Sequence, residues 1–213
     1  MLIPVPPDRR IRRAAQLLVG LVLQGATAGM MVLAGLGLDP WDVLNQGLSR
    51  TFGLGIGTWA IILGVTVLLL WRLLRQRPGV GTVANAIVVG AVIDLTLALV
   101  HPPRALGVRI AVLLAGVVGN GLATGFYIGA GLGSGPRDGL SVGIAARGRS
   151  LRLVRTSIEA TVVITGFLLG GTVGVGTVLY ALTIGPITHQ TIPALAMRPE
   201  TESPTSRVSR EIS

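Results

Sequence analysis

The sequence predicts an all-α integral membrane protein: six transmembrane helices as two inverted three-helix repeats, with short interfacial or re-entrant segments. Three observations predict it. Half of the 213 residues are hydrophobic and 13% are charged, with a mean hydropathy of +0.72, whereas a soluble domain carries roughly 25% charge. The apolar residues fall into six runs of spanning length. A polar motif also recurs: "AGLGLDPWDVL" from Ala34 returns 96 residues later as "AGLGSGPRDGL" from Ala130, identical at seven of eleven positions.

The elements follow in order. Residues 1–13 form a basic N-terminal tail. The segment "DRRIRRAAQLLVGLVLQGATA", which starts within that tail at Asp8, has the basic start, apolar middle and small-residue end of a signal peptide. Its apolar run continues without charge over Ala14–Leu38, however, about 37 Å of helix, so a retained first span is expected. Asp39 suits an N-cap, Pro40 the first helical position and Asp42 the third. Trp41, Leu44 and Leu48 then repeat at helical spacing, which makes a short helix lying at the interface or dipping into the membrane. Thr58–Leu74 and Thr82–Val100 complete the first repeat, about residues 14–100. The second, about 109–197, contains Arg109–Leu132, the second motif copy, Arg152–Leu169 and Thr177–Met197, the last two joined by the glycine turn "GGTVGVG". Residues 198–213 are polar and Pro/Ser-containing, and are expected to be a disordered tail.

Charge excludes one class of partner and orients the chain. All 18 basic residues are arginine and the net charge is +9, which would suit nucleic acid. The arginines lie between apolar runs, though, and aromatics are only 4%, so no basic stacking surface exists and nucleic acid is excluded. Without cysteine there is no disulfide, thiolate or cysteine metal site, and no cofactor is expected. With the N-terminus inside, fifteen arginines fall on that side, including Arg72, Arg137, Arg147 and Arg152, against Arg50, Arg104 and Arg109 outside. The positive-inside rule therefore puts both termini in the cytoplasm of a bacterial inner membrane.

The repeat reaches beyond the motif. Gly20, Gly25 and Gly29 match Gly116, Gly121 and Gly125; with one residue deleted, "GVGT" at Gly79 matches "GVGT" at Gly174, and Gly90 matches Gly185. A unit of three spans is odd, so its copy lies upside down, as in many secondary transporters with a solute site at the repeat interface. Close helix packing alone also uses such glycines. On "DPWDVLNQGLS", "RQRPGVGTVANAIVVGAVID", "GSGPRDGLSVGI" and "LVRTSIEATVVITGFLLGGTVGVGTVLYALTIGP", the chain resembles the YczE-like bacterial integral membrane proteins, related to the YitT and YyaS group. That resemblance implies a six-helix inner-membrane protein and leaves its activity open.

Five residues are candidates for solute or ion binding and coupling. Asp42 and Asp138 hold the motif position whose carboxylate recurs, and are expected one near each mouth of a pathway; helix capping is the competing reading. Asp94 is a carboxylate in an apolar helix, within reach of Arg104 or His101, and its repeat mate is His189; an acid and a histidine so related suggest proton or ion coupling, since histidine as a residue type switches charge near physiological pH. Asn85 is an uncharged polar group within a span, as is Asn120; hydrogen bonding between helices is the default for both. Arg155 and Glu159 are spaced as a helix-surface ion pair. The "GVGT" starts offer backbone N–H groups that could face an anion, but no Gly-Lys-Ser/Thr follows to make a nucleotide loop. An intramembrane hydrolase is a remote alternative: Ser134 and His189 exist, but Leu132 breaks the Gly-x-Ser-Gly signature and no metal cluster appears. The leading expectation is a secondary carrier or channel for a small solute or ion, working in the lipid bilayer and compatible with a homo-oligomer. The rival is a membrane scaffold that moves nothing.

Overall fold

The computed structural model describes residues 8–197. These form eight α-helices: α1 Arg10–Ala34, α2 Pro40–Phe52, α3 Ile56–Leu73, α4 Val80–Leu99, α5 Leu106–Gly129, α6 Pro136–Ala145, α7 Leu151–Leu168 and α8 Val175–Leu195. Among the described residues, α1, α3, α4 and α5 are long and apolar enough to cross a membrane. The other two predicted spans form as helices, but α7 carries Arg152, Arg155 and Glu159, and α8 carries His189, Gln190 and two prolines. Large apolar side chains such as Leu18, Leu69 and Leu182 point outward, the arrangement expected of a surface facing lipid. The chain beyond these limits, including the predicted C-terminal tail, lies outside the described residues.

α1 departs from its predicted bounds at both ends. It starts at Arg10, so Arg12 and Arg13 belong to the helix and not to a tail. It stops at Ala34, four residues before Leu38, because Gly35 takes a left-handed φ of 61° and its N–H bonds back to the carbonyls of Met31 and Val32. Arg13 is buried. Its guanidinium donates to the Ala130 carbonyl at 2.9 Å and to the Asp8 carboxylate at 2.7 Å, and this bond holds Asp8 below the usual carboxylate range.

α1 and α5 pack antiparallel at the centre: Gly20 lies on Tyr127, Thr27 on Gly119 and Met31 on Gly116. α4 flanks α1 and α8 flanks α5. The contacts come in pairs at the sequence offset of the repeat. Gly25 meets Val92 as Gly121 meets Ile187, and Gly29 meets Thr96 as Gly125 meets Thr191. Arg13 bonds the carbonyl of Ala130, and Arg109 bonds that of Ala34 at 2.7 Å. The Asn85 amide donates to Gln24 at 3.0 Å, and the Tyr180 hydroxyl donates to Asn120 at 3.2 Å. Two buried clusters mirror one another in the same way, one around Met31, Ala34 and Leu113, the other around Leu17, Tyr127 and Ala130.

One pairing fails. α3 packs along α4, with Gly57 against Gly90 and Gly64 against Ala86, but α7 and α8 hardly touch along their lengths. Gly185, the mate of Gly90, has nothing within 4 Å of where a Cβ would stand. Adding that one carbon therefore separates the two sites. Gly90→Ala drives a methyl into the Gly57 carbonyl and is expected to cost about 1–3 kcal/mol. Gly185→Ala enters open space and is expected to leave stability unchanged or to raise it by up to about 1 kcal/mol through helix propensity. Thermal unfolding of the two variants in detergent checks the contrast.

Candidate functional site

The two motif copies build one site. After α1 the chain turns at Gly35 and runs extended to Asp39; after α5 it turns at Gly131 and runs extended to Gly135. Gly35 and Gly131 have φ of 61° and 69°, and Gly37 and Gly133 have 120° and 119°, values that side-chain-bearing residues rarely adopt. The extended pieces fold back along the helices they follow. Leu36 accepts from the Gly176 N–H at 2.8 Å and Leu132 from the Gly81 N–H at 2.9 Å, so each "GVGT" start is joined to the loop of the other half. At these two starts, whose N–H groups could face an anion, Gly81 and Gly176 are thus spent on loop carbonyls, and Gly79 and Gly174 on the Thr82 and Thr177 hydroxyls at 3.1 and 3.3 Å. Both starts are packed too closely against those loops to admit a ligand.

α2 and α6 begin where these loops end. At 13 and 10 residues they extend about 20 and 15 Å, short of the roughly 30 Å needed to cross. α2 is capped as predicted: an Asp39 carboxylate oxygen accepts from Trp41 N at 2.9 Å and Asp42 N at 3.1 Å, with Pro40 in the first turn. In α6 Gly135 takes that place and supplies no side-chain cap. α2 then packs on α7, where Gly47 and Gly166 allow close approach. α6 packs on α3, where the Trp71 ring covers Gly139 and its N–H donates to the Pro136 carbonyl at 3.0 Å.

The starts of α2 and α6 meet, which corrects the expectation that Asp42 and Asp138 flank opposite mouths. The chain doubles back from both ends of the α1–α5 pair, so both motifs arrive in its interior. Arg137 of the second copy lies 3.6 Å from Asp39 and 3.7 Å from Asp42, with its guanidinium 5.1 Å over the ring of Trp41, its own repeat mate. Arg137 was expected among the arginines of the inner surface; it sits in this junction instead.

A cavity of about 350 Å³ lies beside the junction and reaches the gap between α7 and α8, helices that both line it and scarcely touch each other. Gln24, Trp41, Asn85, Arg137, Asp138 and Tyr180 line it, drawing on both halves. Of the five candidates, Asp138 and Asn85 face this space. Asp138 accepts from the Tyr127 hydroxyl at 3.1 Å, while Asn85 makes the expected interhelical bond to Gln24. Asp42 is buried behind the wall, where it accepts from the Asn45 amide at 2.9 Å. Arg155 and Glu159 form the expected i,i+4 pair at 2.9 Å and line the opening.

Asp94 and His189 lie apart from the others. Asp94 pairs with neither Arg104 nor His101. It accepts from Gly57 N at 2.7 Å, and from Thr58 N and the Thr58 hydroxyl at 2.8 Å each. The reason is that α3 starts at a glycine cap without a side-chain acceptor, and α4 supplies the missing carboxylate. His189 is exposed on α8, in a shallow groove with Thr188 and Pro193 beside the opening. Sequence reasoning missed Arg137, Trp41, Gln24 and Tyr180 as site residues. A signal existed: Gln24 with Asn120, Asn85 with Tyr180, and Trp41 with Arg137 are all mates at the repeat offset, and every one is polar or aromatic.

A family model described as "Family of unknown function (DUF6198)" matches residues 11–193. An uncharacterized protein of Haemophilus influenzae is 41% identical over 184 residues, covering 86% of this chain and 84% of that protein. The uncharacterized membrane protein YczE of Bacillus subtilis is 33% identical over 178 residues, covering 78% and 83%, and YyaS of the same organism is 28% identical over 180, covering 82% and 90%. No solved structure matches.

The junction makes a prediction of its own. Arg137→Gln leaves Asp39 and Asp42 without their cation and is expected to cost up to about 3 kcal/mol. Asp39→Asn keeps a capping side chain but removes a charge. The double variant Asp39→Asn/Arg137→Gln should therefore be more stable than Arg137→Gln alone. Unfolding midpoints of the four proteins close this double-mutant cycle.

Proposed function

We propose, for a chain that belongs to the DUF6198 family, that it is a secondary carrier whose two halves are inverted-topology repeats holding a small solute or ion between them. One observation carries this reading: the cavity is shut at one pair of helices and open at the pair that corresponds to it. On the shut side Asp94 of α4 grips the start of α3, and Gly57 rests on Gly90. On the open side the same register holds Arg152 at the start of α7 and Gly185 and His189 on α8, and the helices part. Two halves of one design in two different conformations are what alternating access requires. Closing α7 onto α8 while releasing α3 from α4 would pass the cavity from one face of the membrane to the other.

In this reading α7 and α8 are the fifth and sixth spans, Asp94 and His189 are gate residues at opposite ends, and Asp138 and Asn85 belong to the solute site. The arginine-rich end, where the Arg147 guanidinium meets the Leu73 carbonyl at 3.3 Å, faces the cytoplasm of a bacterial inner membrane. The opening between α7 and α8 is at that end, so the conformation faces inward, with both termini on the same side. A scaffold would not need an open seam opposite a clamped one.

The test needs no substrate, and the absence of native cysteine makes it clean. Ala60→Cys lines the cavity beside the clamped α3–α4 seam. A membrane-impermeant thiol reagent added outside intact cells should leave it unlabelled, and should label it once Asp94→Ala is introduced. Equal labelling in both backgrounds would reject the gate. Asp94→Ala is also expected to lower stability by about 1.5–3 kcal/mol through loss of charge-assisted bonds. Gly185→Leu should stay folded yet block closure of α7 on α8, cutting solute flux roughly tenfold or more; full flux in that variant would argue for a scaffold or an open channel.

A further inference from the structure

The wall of the cavity has an excess of negative charge. Asp39, Asp138 and Glu159 line it and Asp42 lies directly behind, against the guanidiniums of Arg137 and Arg155. Arg155 is matched with Glu159 at 2.9 Å, and Arg137 is shared between Asp39 and Asp42 at 3.6 and 3.7 Å. Asp138 pairs with neither arginine; its hydrogen-bond partner is the neutral Tyr127 hydroxyl at 3.1 Å. Arg155 is within electrostatic reach of Asp138 but not in contact with it; a carboxylate held among membrane-embedded helices without a contacting counter-charge is costly, and a cation arriving in the cavity lowers the cost.

The surroundings say what kind of cation. Hard metal ions ask for six to eight oxygen ligands at close range, whereas this wall mixes one free carboxylate with Trp41, Tyr127, Tyr180, Ala86, Val89 and Ile184. Such a lining suits an organic ammonium group, which takes one counter-ion and is otherwise content with aromatic and apolar contact. The Trp41 ring already carries a guanidinium at 5.1 Å, so the site accommodates cations on aromatic faces. The volume, about 350 Å³, is at the small end for ligand pockets. Two features pull toward an anion, Arg137 and the N-terminus of α6. Arg137 is already held by two carboxylates, however, and the α6 terminus has Asp138 in its own first turn.

We propose that the cavity binds a small organic ammonium ion, a primary amine or methylated ammonium, with Asp138 as its counter-ion and Trp41 and Tyr180 as its aromatic wall. This rests on the reading of the cavity as a carrier's solute site, and its test separates the two. Purified protein in detergent is titrated with methylammonium, ethanolammonium and tetramethylammonium chlorides, beside potassium chloride, sodium acetate and alanine at matched ionic strength. Unfolding midpoint and calorimetry are the readouts. At least one ammonium ion should raise the midpoint saturably, and Asp138→Asn should weaken its binding about tenfold or more. If Asp138→Asn does not fold, selectivity of the wild type across the panel decides. Saturation by acetate or alanine in place of the ammonium ions overturns the ligand class and leaves the carrier standing. Responses no larger than those to potassium chloride overturn the ammonium site. Ammonium binding without uptake of the same ion into proteoliposomes supports the site and removes the carrier.

Discussion

Everything in this fold depends on one constraint: non-helical backbone carried into an apolar body must find its hydrogen bonds inside the protein. In hydrocarbon an unpaired peptide group costs several kcal/mol, so irregular chain survives at depth only where protein satisfies it. The two extended loops after α1 and α5 are such chain. The first is satisfied by Gly176 N–H on Leu36 and by the Thr177 hydroxyl beneath Leu38 N–H at 3.1 Å, the second by Gly81 N–H on Leu132. Each loop thus depends on a helix from the opposite half of the chain, and neither half can complete its backbone bonding alone. Because the loops are fixed there, α2 and α6 begin there, and the cavity lies where those beginnings fail to fill the space.

The charges follow from that placement. Asp39 and Asp42 stand three residues apart at the start of α2 and would repel without a cation, which the meeting of the two helix starts brings within reach. Arg137 supplies it, from the position that the first copy gives to Trp41, so the ring and the guanidinium stack across the junction. The second copy needed no further carboxylate at the cap and has Gly135. The substitution of glycine for aspartate and of arginine for tryptophan are then two parts of a single electrostatic adjustment.

Hydropathy made the apolar helices legible, and the motif chemistry made α2 legible down to its cap, because both signals are local. What could not be read was how far the loops return. Leu36 and Leu38 are apolar, so the sequence predicts a first span running to Leu38, and nothing in composition distinguishes an apolar residue in a helix from one in an extended loop bonded to the other half. That error displaced Asp42 and Asp138 to the mouths. Asp94 was likewise read for its neighbours in sequence, His101 and Arg104, although its partners begin 37 residues earlier, at Gly57. The polar pairs Gln24–Asn85 and Asn120–Tyr180 were within reach, since the repeat offset relates them residue by residue.

Where the copies agree they serve packing, and where they differ they mark the asymmetry of the molecule. Gly25, Gly29, Thr82 and Arg13 find equivalent partners to those of Gly121, Gly125, Thr177 and Arg109, and a change in one would break a contact that the fold uses twice. Asp94 against His189, and Gly57 against Arg152, are a different case. A carboxylate clamps the start of α3 with three short bonds at one end, while the other end places an imidazole and a guanidinium where no such clamp can form. The two seams therefore differ in chemistry as well as in conformation. One is tied by an acid to backbone N–H groups, and the side chains in the same register of the other offer no such acceptor. Halves that correspond residue by residue are thus bonded unequally: α3 is packed and tied to α4, while α7 and α8 stand apart.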